Sequence, residues 1–145
     1  MEQLIKQLKR QEGVRTHAYR DINGLLHIGC GRNIDGDTAR QGPGLSMREI
    51  DEMLQHDIEV SIKELSKTYP WFNDLEEGAR KDAIINLHFN MGGPTLAKFK
   101  KALGHMETGS HDEAAAEFLS SRWAKQVKGR AIEVTDMIKT GTYIG

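Results

Sequence analysis

The side chains best suited to chemistry in this chain lie close together near the start and are Glu12, Asp21 and His27. Two carboxyl groups on either side of a glycosidic bond can hydrolyse it. One protonates the leaving oxygen, while the other activates water or stabilises the developing positive charge. A histidine titrates near neutral pH and can take a proton from water. These residue types are compatible with glycoside hydrolysis, and their spacing alone is weak evidence for it.

Glu12 is predicted to be the last residue of a helix over residues 3–12. Leu4, Ile5 and Leu8 recur at helical spacing, and Gly13 directly follows Glu12. Glycine is the residue that most often adopts the left-handed conformation that ends a helix. The pattern therefore places the Glu12 carboxyl at the carboxyl end of the first helix.

Asp21 and His27 are predicted to flank a hairpin turn in a small antiparallel sheet of two or three strands. The hairpin dipeptide Asn23-Gly24 lies between them. A two-residue loop would put Asp21 and His27 on opposite faces of the ribbon. A three-residue loop would pair Asp21 with Leu25 and put both side chains on one face, as joint catalysis requires. The sequence leaves both geometries open.

The residues after this region read as helices. Ser46-Met-Arg-Glu49 matches a capping box, and apolar residues at helical spacing extend the predicted helix over about 46–67. Another helix is predicted to start at Asn73 or Asp74, and a second capping box at Ser110-His-Asp-Glu113. At 1.5 Å per residue, the helix over 46–67 is about 30 Å long and could connect two lobes.

The predicted fold class is α+β, a mainly helical, two-lobed single domain over 1–145 with a small N-terminal antiparallel sheet. The sheet-bearing lobe is expected at about 13–60, the helical lobe at about 1–12 plus 68–145, and the linking helix at about 46–67. A cleft between two such lobes would suit an elongated ligand.

Composition excludes several classes of protein. The net charge is −1, from 20 Lys and Arg against 21 Asp and Glu, which argues against a general nucleic-acid binder. A single cysteine, Cys30, excludes an intrachain disulfide and a four-cysteine zinc site. No apolar run of about 18 residues could span a membrane. The first ten residues lack the apolar core of a secretion signal, so we expect synthesis in the cytoplasm.

Several ordered motifs resemble those of the phage-type lysozymes, the family of the T4 phage endolysin. Glu12-x8-Asp21 is followed by Gly24 and by Ile28-Gly29-x-Gly31. Later landmarks extend the similarity through nearly the whole chain: the run Ala83–Gly92, Asp112–Ala115, Ser121-Arg-Trp123, Arg130 and Lys139–Thr142.

The resemblance implies a lysozyme fold and a muramidase that cleaves the β-1,4 bond between N-acetylmuramic acid and N-acetylglucosamine. It implies that Glu12 is the general acid and that Asp21 orients water or stabilises charge. Substrate-binding positions then fall at Asn33, Phe89, Asn90 and Glu117, and Arg130 supports the first helix near Glu12.

His27 departs from the family, which usually has threonine at this position. A histidine could act as a base towards water, or as a nucleophile in a retaining, transglycosylating route. It could also pack in the hairpin without a chemical role. The choice between inverting and retaining chemistry stays open from the sequence.

Other candidate residues have simpler interpretations. His88 lies on an apolar helix face and is predicted to be a hydrogen-bonded core residue, and Trp123 a packing residue. The run Lys98–Lys101 is predicted to be a solvated helix face that could help the protein approach the anionic cell wall.

The sequence thus predicts a monomeric, bacteriolytic endolysin without cofactor or metal, binding peptidoglycan but neither nucleic acid nor, stably, a membrane. It would act on the wall after a holin has opened the host membrane. Two alternatives differ in class: a catalytically inactive peptidoglycan-binding module of the same fold, and a metal-dependent hydrolase using Glu12, Asp21 and His27 as ligands.

Overall fold

A computed structural model describes residues 1–13, 15–20, 26–29, 32–33 and 46–143. The strands are β1 (Arg15–Arg20), β2 (Leu26–Gly29) and β3 (Arg32–Asn33). Within these described ranges the helices are α1 (Glu2–Glu12), α2 (Met47–Thr68), α3 (Pro70–Asp74), α4 (Ala79–Met91), α5 (Gly93–Leu96), α6 (Lys100–Glu107), α7 (His111–Leu119), α8 (Arg122–Val127) and α9 (Gly129–Thr140).

The predicted α+β class is wrong, because helices dominate the described part of the chain. Within the described ranges, strands are confined to three short segments, ordered β1-β2-β3 and paired antiparallel. The helix pairs α7·α9, α6·α7 and α4·α9 supply much of the tertiary packing. Among the side chains that the structure describes, every buried apolar residue lies in a helix. The fold is predominantly helical.

The capping box predicted at the start of α2 is confirmed. The Glu49 backbone N–H donates to Ser46 Oγ at 3.1 Å. The Ser46 N–H donates in return to Glu49 Oε1, also at 3.1 Å. These reciprocal bonds satisfy two backbone donors that the helix itself leaves unpaired.

The second predicted capping box, at Ser110–Glu113, is wrong. Ser110 precedes α7, but its side chain makes no cap hydrogen bond to that helix. The Ser110 hydroxyl lies 3.3 Å from Thr108 Oγ1 instead. The same sequence pattern therefore caps one helix and not the other, because a nearby hydroxyl competes for the serine side chain.

The helix predicted to start at Asn73 or Asp74 begins later, at Ala79. The segment Pro70–Asp74 forms its own short helix, α3, with the proline in its first turn. Leu75 then adopts an extended conformation, and Gly78 precedes α4 with a positive φ of 148°. The extended residue interrupts the helical path, so α3 and α4 are separate elements.

The described chain separates into two compact units, Met1–Glu59 and Val60–Gly145. The boundary falls inside α2, and α1 belongs to the same unit as the strands. In the first unit Leu4, Leu8, Ile50, Leu54 and Ile58 are buried. The sequence-predicted lobes at 13–60 and at 1–12 plus 68–145 stay predictions.

The core of the second unit centres on α4. Every residue from Ala83 to His88 is buried. The helix packs against α9, which buries Ala131, Val134, Met137 and Ile138. A helix segment that is buried on all sides has no single apolar face, so its sequence does not indicate which neighbouring helices it contacts.

The end of α9 is held against the start of α4. Arg80 donates through Nε to the Ile138 carbonyl at 2.7 Å and through Nη2 to the Lys139 carbonyl at 3.2 Å. Gly141 ends α9 in the left-handed conformation, at φ 73° and ψ 17°. A Cβ at Gly141 would lie 3.2 Å from the Arg80 guanidinium, so glycine suits both the backbone angle and the close approach.

None of the helices in the described ranges is both long enough and apolar enough to cross a membrane.

Candidate active site

Glu12 is the last residue of α1 and is half-buried. Burial of Leu4 and Leu8 anchors the helix, and the Gly13 N–H donates to the Lys9 carbonyl at 3.0 Å. Gly13 has φ 75° and ψ 160°, a positive-φ conformation that ends the helix without being the predicted left-handed cap. The prediction that Glu12 ends the first helix is confirmed.

His27 and Asn33 are described through the backbone of the sheet. His27 lies in the middle strand, opposite Tyr19 of β1 on one side and Asn33 of β3 on the other. The two predicted site positions are thus adjacent across a strand pair, and both belong to the unit that contains Glu12. Asp21 lies outside the described residues, as does the loop for which the sequence leaves two lengths open.

Phe89 and Asn90 lie in the last turn of α4, and both are partly exposed. Asn90 Oδ1 accepts a 2.6 Å hydrogen bond from the indole nitrogen of Trp123. Because an indole N–H can only donate, the oxygen of the Asn90 amide faces Trp123. The amide nitrogen, which carries two hydrogens, is the part of Asn90 that remains for other partners.

Trp123 is only 7 % exposed, so its predicted packing role is confirmed. Its element, α8, is capped by Ser121, whose hydroxyl accepts from the Ala124 N–H at 3.2 Å. The indole N–H needs an acceptor once it is buried. Asn90 meets that need, and the bond connects the end of α4 to α8.

Asn90 also lines a cavity of about 640 Å³ in the second unit. Its apolar wall contains Met91, Phe99 and Val127, and its charged residues are Lys98 and Arg122. A second cavity of about 430 Å³ shares the Lys98 and Phe99 wall and contains Glu117. Phe89 lines neither of these two cavities. The structure therefore places the predicted binding residues Asn90 and Glu117 in neighbouring cavities.

Arg130 donates to the Asn86 amide oxygen, through Nε at 3.2 Å and through Nη2 at 3.1 Å. Asn86 is fully buried in α4, so the contact fixes the start of α9 against the middle of α4. The predicted support of the first helix by Arg130 stays a prediction.

His88 is confirmed as a hydrogen-bonded core residue, only 9 % exposed. Its Nδ1 lies 2.9 Å from Ser61 Oγ, and its Nε2 lies 3.0 Å from Glu64 Oε2. This Ser-His-Glu chain resembles a nucleophilic triad, but Ser61 is 5 % exposed in the middle of α2. A buried hydroxyl cannot meet a substrate, so we assign the chain to the attachment of α2 to α4.

No group of three His, Cys, Asp or Glu side chains is arranged to hold a metal ion among the residues whose side chains the structure describes. Asp21 and the side chain of His27 lie outside that set.

Comparison with known proteins identifies the family. The family model for phage lysozyme matches residues 9–137, which is most of the chain and includes Glu12, Asp21 and His27. The chain belongs to the phage lysozyme family. As a lysozyme it is a glycoside hydrolase, and the family resemblance predicted from the sequence motifs is confirmed.

Relatives of this lysozyme occur in a eukaryote and in phages. It is 29 % identical to Probable T4-type lysozyme 2 of Dictyostelium discoideum, over 93 % of this chain and 92 % of the relative. It is 30 % identical to the Endolysin of Salmonella phage P22, over 86 % and 82 % of the two chains. It is also 30 % identical to the Pre-baseplate central spike protein Gp5 of Enterobacteria phage T4, over 95 % of this chain and 28 % of that protein.

The cavity beside Asn90 was not predicted from the sequence. Lys98 was interpreted as part of a solvated helix face, and Arg122 only as a family landmark. One feature of the sequence could have indicated a polar contact here: Trp123, whose indole N–H requires an acceptor once it is buried. Nothing in the linear order indicated that this acceptor would be Asn90, which lies 33 residues earlier.

Proposed function

We propose that this lysozyme is an endo-acting muramidase that hydrolyses the β-1,4 bond between N-acetylmuramic acid and N-acetylglucosamine in bacterial peptidoglycan. The observation that carries the proposal is the family match across residues 9–137, which spans the predicted catalytic positions. The half-buried position of Glu12 at the end of α1 supports it. A carboxyl group fixed at a helix end is held in one place, as proton delivery to a glycosidic oxygen requires.

In the proposed mechanism Glu12 protonates the leaving oxygen. Asp21 orients the attacking water or stabilises the oxocarbenium-like transition state. His27 acts either as a base towards that water or as a nucleophile, and the products distinguish the two routes. NMR of the freshly released anomer should show inversion if His27 is a base and retention if it is a nucleophile.

The substrate-binding part of the proposal assigns Asn33, Phe89, Asn90 and Glu117 to contacts with the wall polymer, and Arg130 to support of α1. The protein would work as a monomer, need no cofactor, and bind neither nucleic acid nor, stably, a membrane. Similarity to a phage endolysin supports synthesis in the host cytoplasm and access to the wall after a holin has opened the membrane.

Replacing Glu12 by glutamine tests the mechanism. Glutamine keeps the shape of the side chain but has no acidic proton, so we expect the hydrolysis rate to fall at least about 100-fold, the usual contribution of a general acid. The measurement is the release of new reducing ends from purified peptidoglycan, together with the loss of turbidity.

Glu2→Gln is the matched control, since Glu2 lies on the same helix and is exposed. It should leave the rate unchanged. A lytic rate for Glu12→Gln equal to that of the original protein would refute Glu12 as the acid. Wall binding by the original protein without any new reducing ends would instead favour the alternative, a catalytically inactive peptidoglycan-binding module.

A further inference from the structure

An ion pair connects the helix that ends at Glu12 to α2. The ammonium group of Lys9 in α1 contacts the Asp51 Oδ1 atom of α2, and both residues belong to the first compact unit. The Lys9 side chain is 25 % exposed and that of Asp51 is 48 % exposed. Leu8 and Ile50, their neighbours in the chain, are buried. The pair therefore lies at the edge of the apolar core of this unit.

The Asp51 carboxylate depends on this contact more than its exposed fraction suggests. Its Oδ1 atom is buried and accepts no hydrogen bond from any residue that the structure describes. The Lys9 ammonium is the charged group that contacts this atom. A charged oxygen that is removed from water is costly unless an opposite charge is close to it. The electrostatics therefore hold Lys9 and Asp51 together.

Lys9 lies one helical turn before Glu12. Residues three apart are neighbours on the same face of a helix, so the two side chains leave α1 on the same side. The Lys9 carbonyl also accepts the Gly13 N–H at 3.0 Å, the bond that closes the last turn of the helix. Lys9 is thus held through its side chain and its backbone, and it fixes the turn that carries Glu12.

The start of α2 determines where Asp51 lies. The capping box of Ser46 and Glu49 closes the first turn of this helix through two bonds of 3.1 Å. Asp51 follows in the second turn, between the buried residues Ile50 and Leu54. The ion pair therefore attaches the end of α1 to a turn that is fixed by its own cap and by burial.

We propose that Lys9 and Asp51 are positioning residues for the general acid, because their ion pair holds the last turn of α1 and with it the Glu12 carboxyl. This inference rests on the proposed role of Glu12. A misplacement of about 1 Å in a reacting group can lower the rate about 100-fold. Neither residue contacts the substrate in this role, so loss of the pair should lower kcat and leave KM nearly unchanged.

Neutral substitutions on either side of the pair test the proposal. Lys9→Gln and Asp51→Asn should each lower kcat about tenfold and change KM by less than about twofold. Lys9→Arg keeps the positive charge and should retain at least about half of the original kcat. The measurement is the initial rate of release of reducing ends over a range of concentrations of soluble peptidoglycan fragments.

The double variant Lys9→Gln/Asp51→Asn shows whether both residues act through one contact. Its kcat should be no lower than that of the slower single variant, since the second substitution has no remaining interaction to remove. It also leaves no buried charge without a partner, so it guards against a loss of rate caused by misfolding. Urea unfolding of every variant gives the folded fraction to which the rates are normalised.

Lys6→Gln is the matched control. Lys6 lies on the same helix and pairs with Glu2 at 3.7 Å, but the two side chains are 75 % and 87 % exposed and lie away from Glu12. Exposed ion pairs contribute little. We expect the kcat and KM of Lys6→Gln to equal those of the original protein.

The outcomes separate this inference from the proposed function. An unchanged kcat in Lys9→Gln and Asp51→Asn, a raised KM in place of a lowered kcat, a double variant whose loss is the product of the two single losses, or a Lys9→Arg as slow as Lys9→Gln would each overturn the positioning role. If one of these results appears while hydrolysis still depends on Glu12, only this inference falls. If Glu12→Gln keeps the full rate, the proposed mechanism falls, and the positioning role falls with it.

Discussion

Among single residues, Asp82 is a carboxylate whose ionised form is destabilised by burial, which the sequence does not reveal. Tyr143 Oη donates a 2.5 Å hydrogen bond to Asp82 Oδ2, which holds Tyr143 against the first turn of α4. Burial raises the pKa of the Asp82 carboxyl above its ordinary value of 3.8, and the hydrogen bond from Tyr143 only partly opposes this. Burial, followed by the bond to Asp82, also raises the pKa of Tyr143. The ionised Asp82 carboxylate is thus held where its charge is poorly solvated.

Replacing Asp82 by asparagine should stabilise the protein at pH 7 relative to the original chain. A carboxyl whose pKa is raised by folding contributes most to stability below pH 3.8, and this contribution is lost as the pH rises through the raised pKa. Asparagine still accepts from Tyr143 but has no charge to desolvate. We expect a gain of less than about 1 kcal/mol at pH 7, because the site is partly solvated, and a smaller or reversed difference at pH 3.

Urea unfolding of both proteins at pH 3 and pH 7 measures this difference. Asp74→Asn provides the control, since Asp74 is exposed at the end of α3. A larger advantage for Asp82→Asn at pH 3 than at pH 7 would contradict the prediction, because it would mean that folding favours the ionised carboxyl.

Among the elements, α2 and α7 show how one sequence pattern leads to two outcomes. Both are preceded by serine with glutamate three residues on. At α2 the two reciprocal bonds form at 3.1 Å. Hydrogen bonding to the Glu49 carboxylate, first from the Ser46 backbone N–H and second from the Ser46 side chain, lowers the pKa of Glu49. At α7 the Ser110 hydroxyl contacts Thr108, and no cap bond forms. At α7 the Thr108 hydroxyl, rather than a helix N–H, is therefore the partner of the serine side chain.

Ser46→Ala should therefore cost more than Ser110→Ala. Loss of a serine cap that accepts from the helix typically costs about 1 kcal/mol, so we expect that loss for Ser46→Ala. For Ser110→Ala we expect a cost of less than about 0.5 kcal/mol, as for a surface substitution. Urea unfolding at pH 7 compares the two variants. Equal costs would indicate that the bonds seen at α2 contribute no net stability.

At the scale of the whole molecule, the described structure consists of two compact units, and the second derives its stability from the packing of α4, α7 and α9. Leu87 is fully buried in α4. Ile132 of α9 is 57 % exposed, although it is a comparably large aliphatic residue. Aliphatic side chains of similar size therefore occupy opposite environments within one packed pair of helices.

Leu87→Ala should destabilise the protein by about 2–5 kcal/mol, because it removes buried methyl groups and leaves a cavity in a close-packed core. Ile132→Ala should change the stability by less than about 0.5 kcal/mol, since its side chain is already largely in water. Thermal or urea unfolding distinguishes the two. Costs of similar size would contradict the assignment of the second unit's core to the α4–α9 interface.

Local patterns in the sequence correctly predicted those features that neighbouring residues control. The end of α1 at Glu12 and the capping box at Ser46 depend on contacts within a few residues. The family was predicted from ordered motifs and confirmed. The α+β class was wrong, because local turn signals do not report how much of the core the helices supply. The second capping box was wrong, because the Ser110 hydroxyl contacts Thr108 and makes no cap bond.

Tertiary structure alone decided which distant side chains share an environment. Asn90 and Trp123 are 33 positions apart, and only the packing of α4 against its neighbours brings the Asn90 amide oxygen to the Trp123 indole N–H. The partners of His88 were likewise not predictable from the sequence, since Ser61 and Glu64 lie on another helix. Hydrogen bonds between elements depend on interaxial distances and rotamers set by the whole core, which no linear spacing encodes.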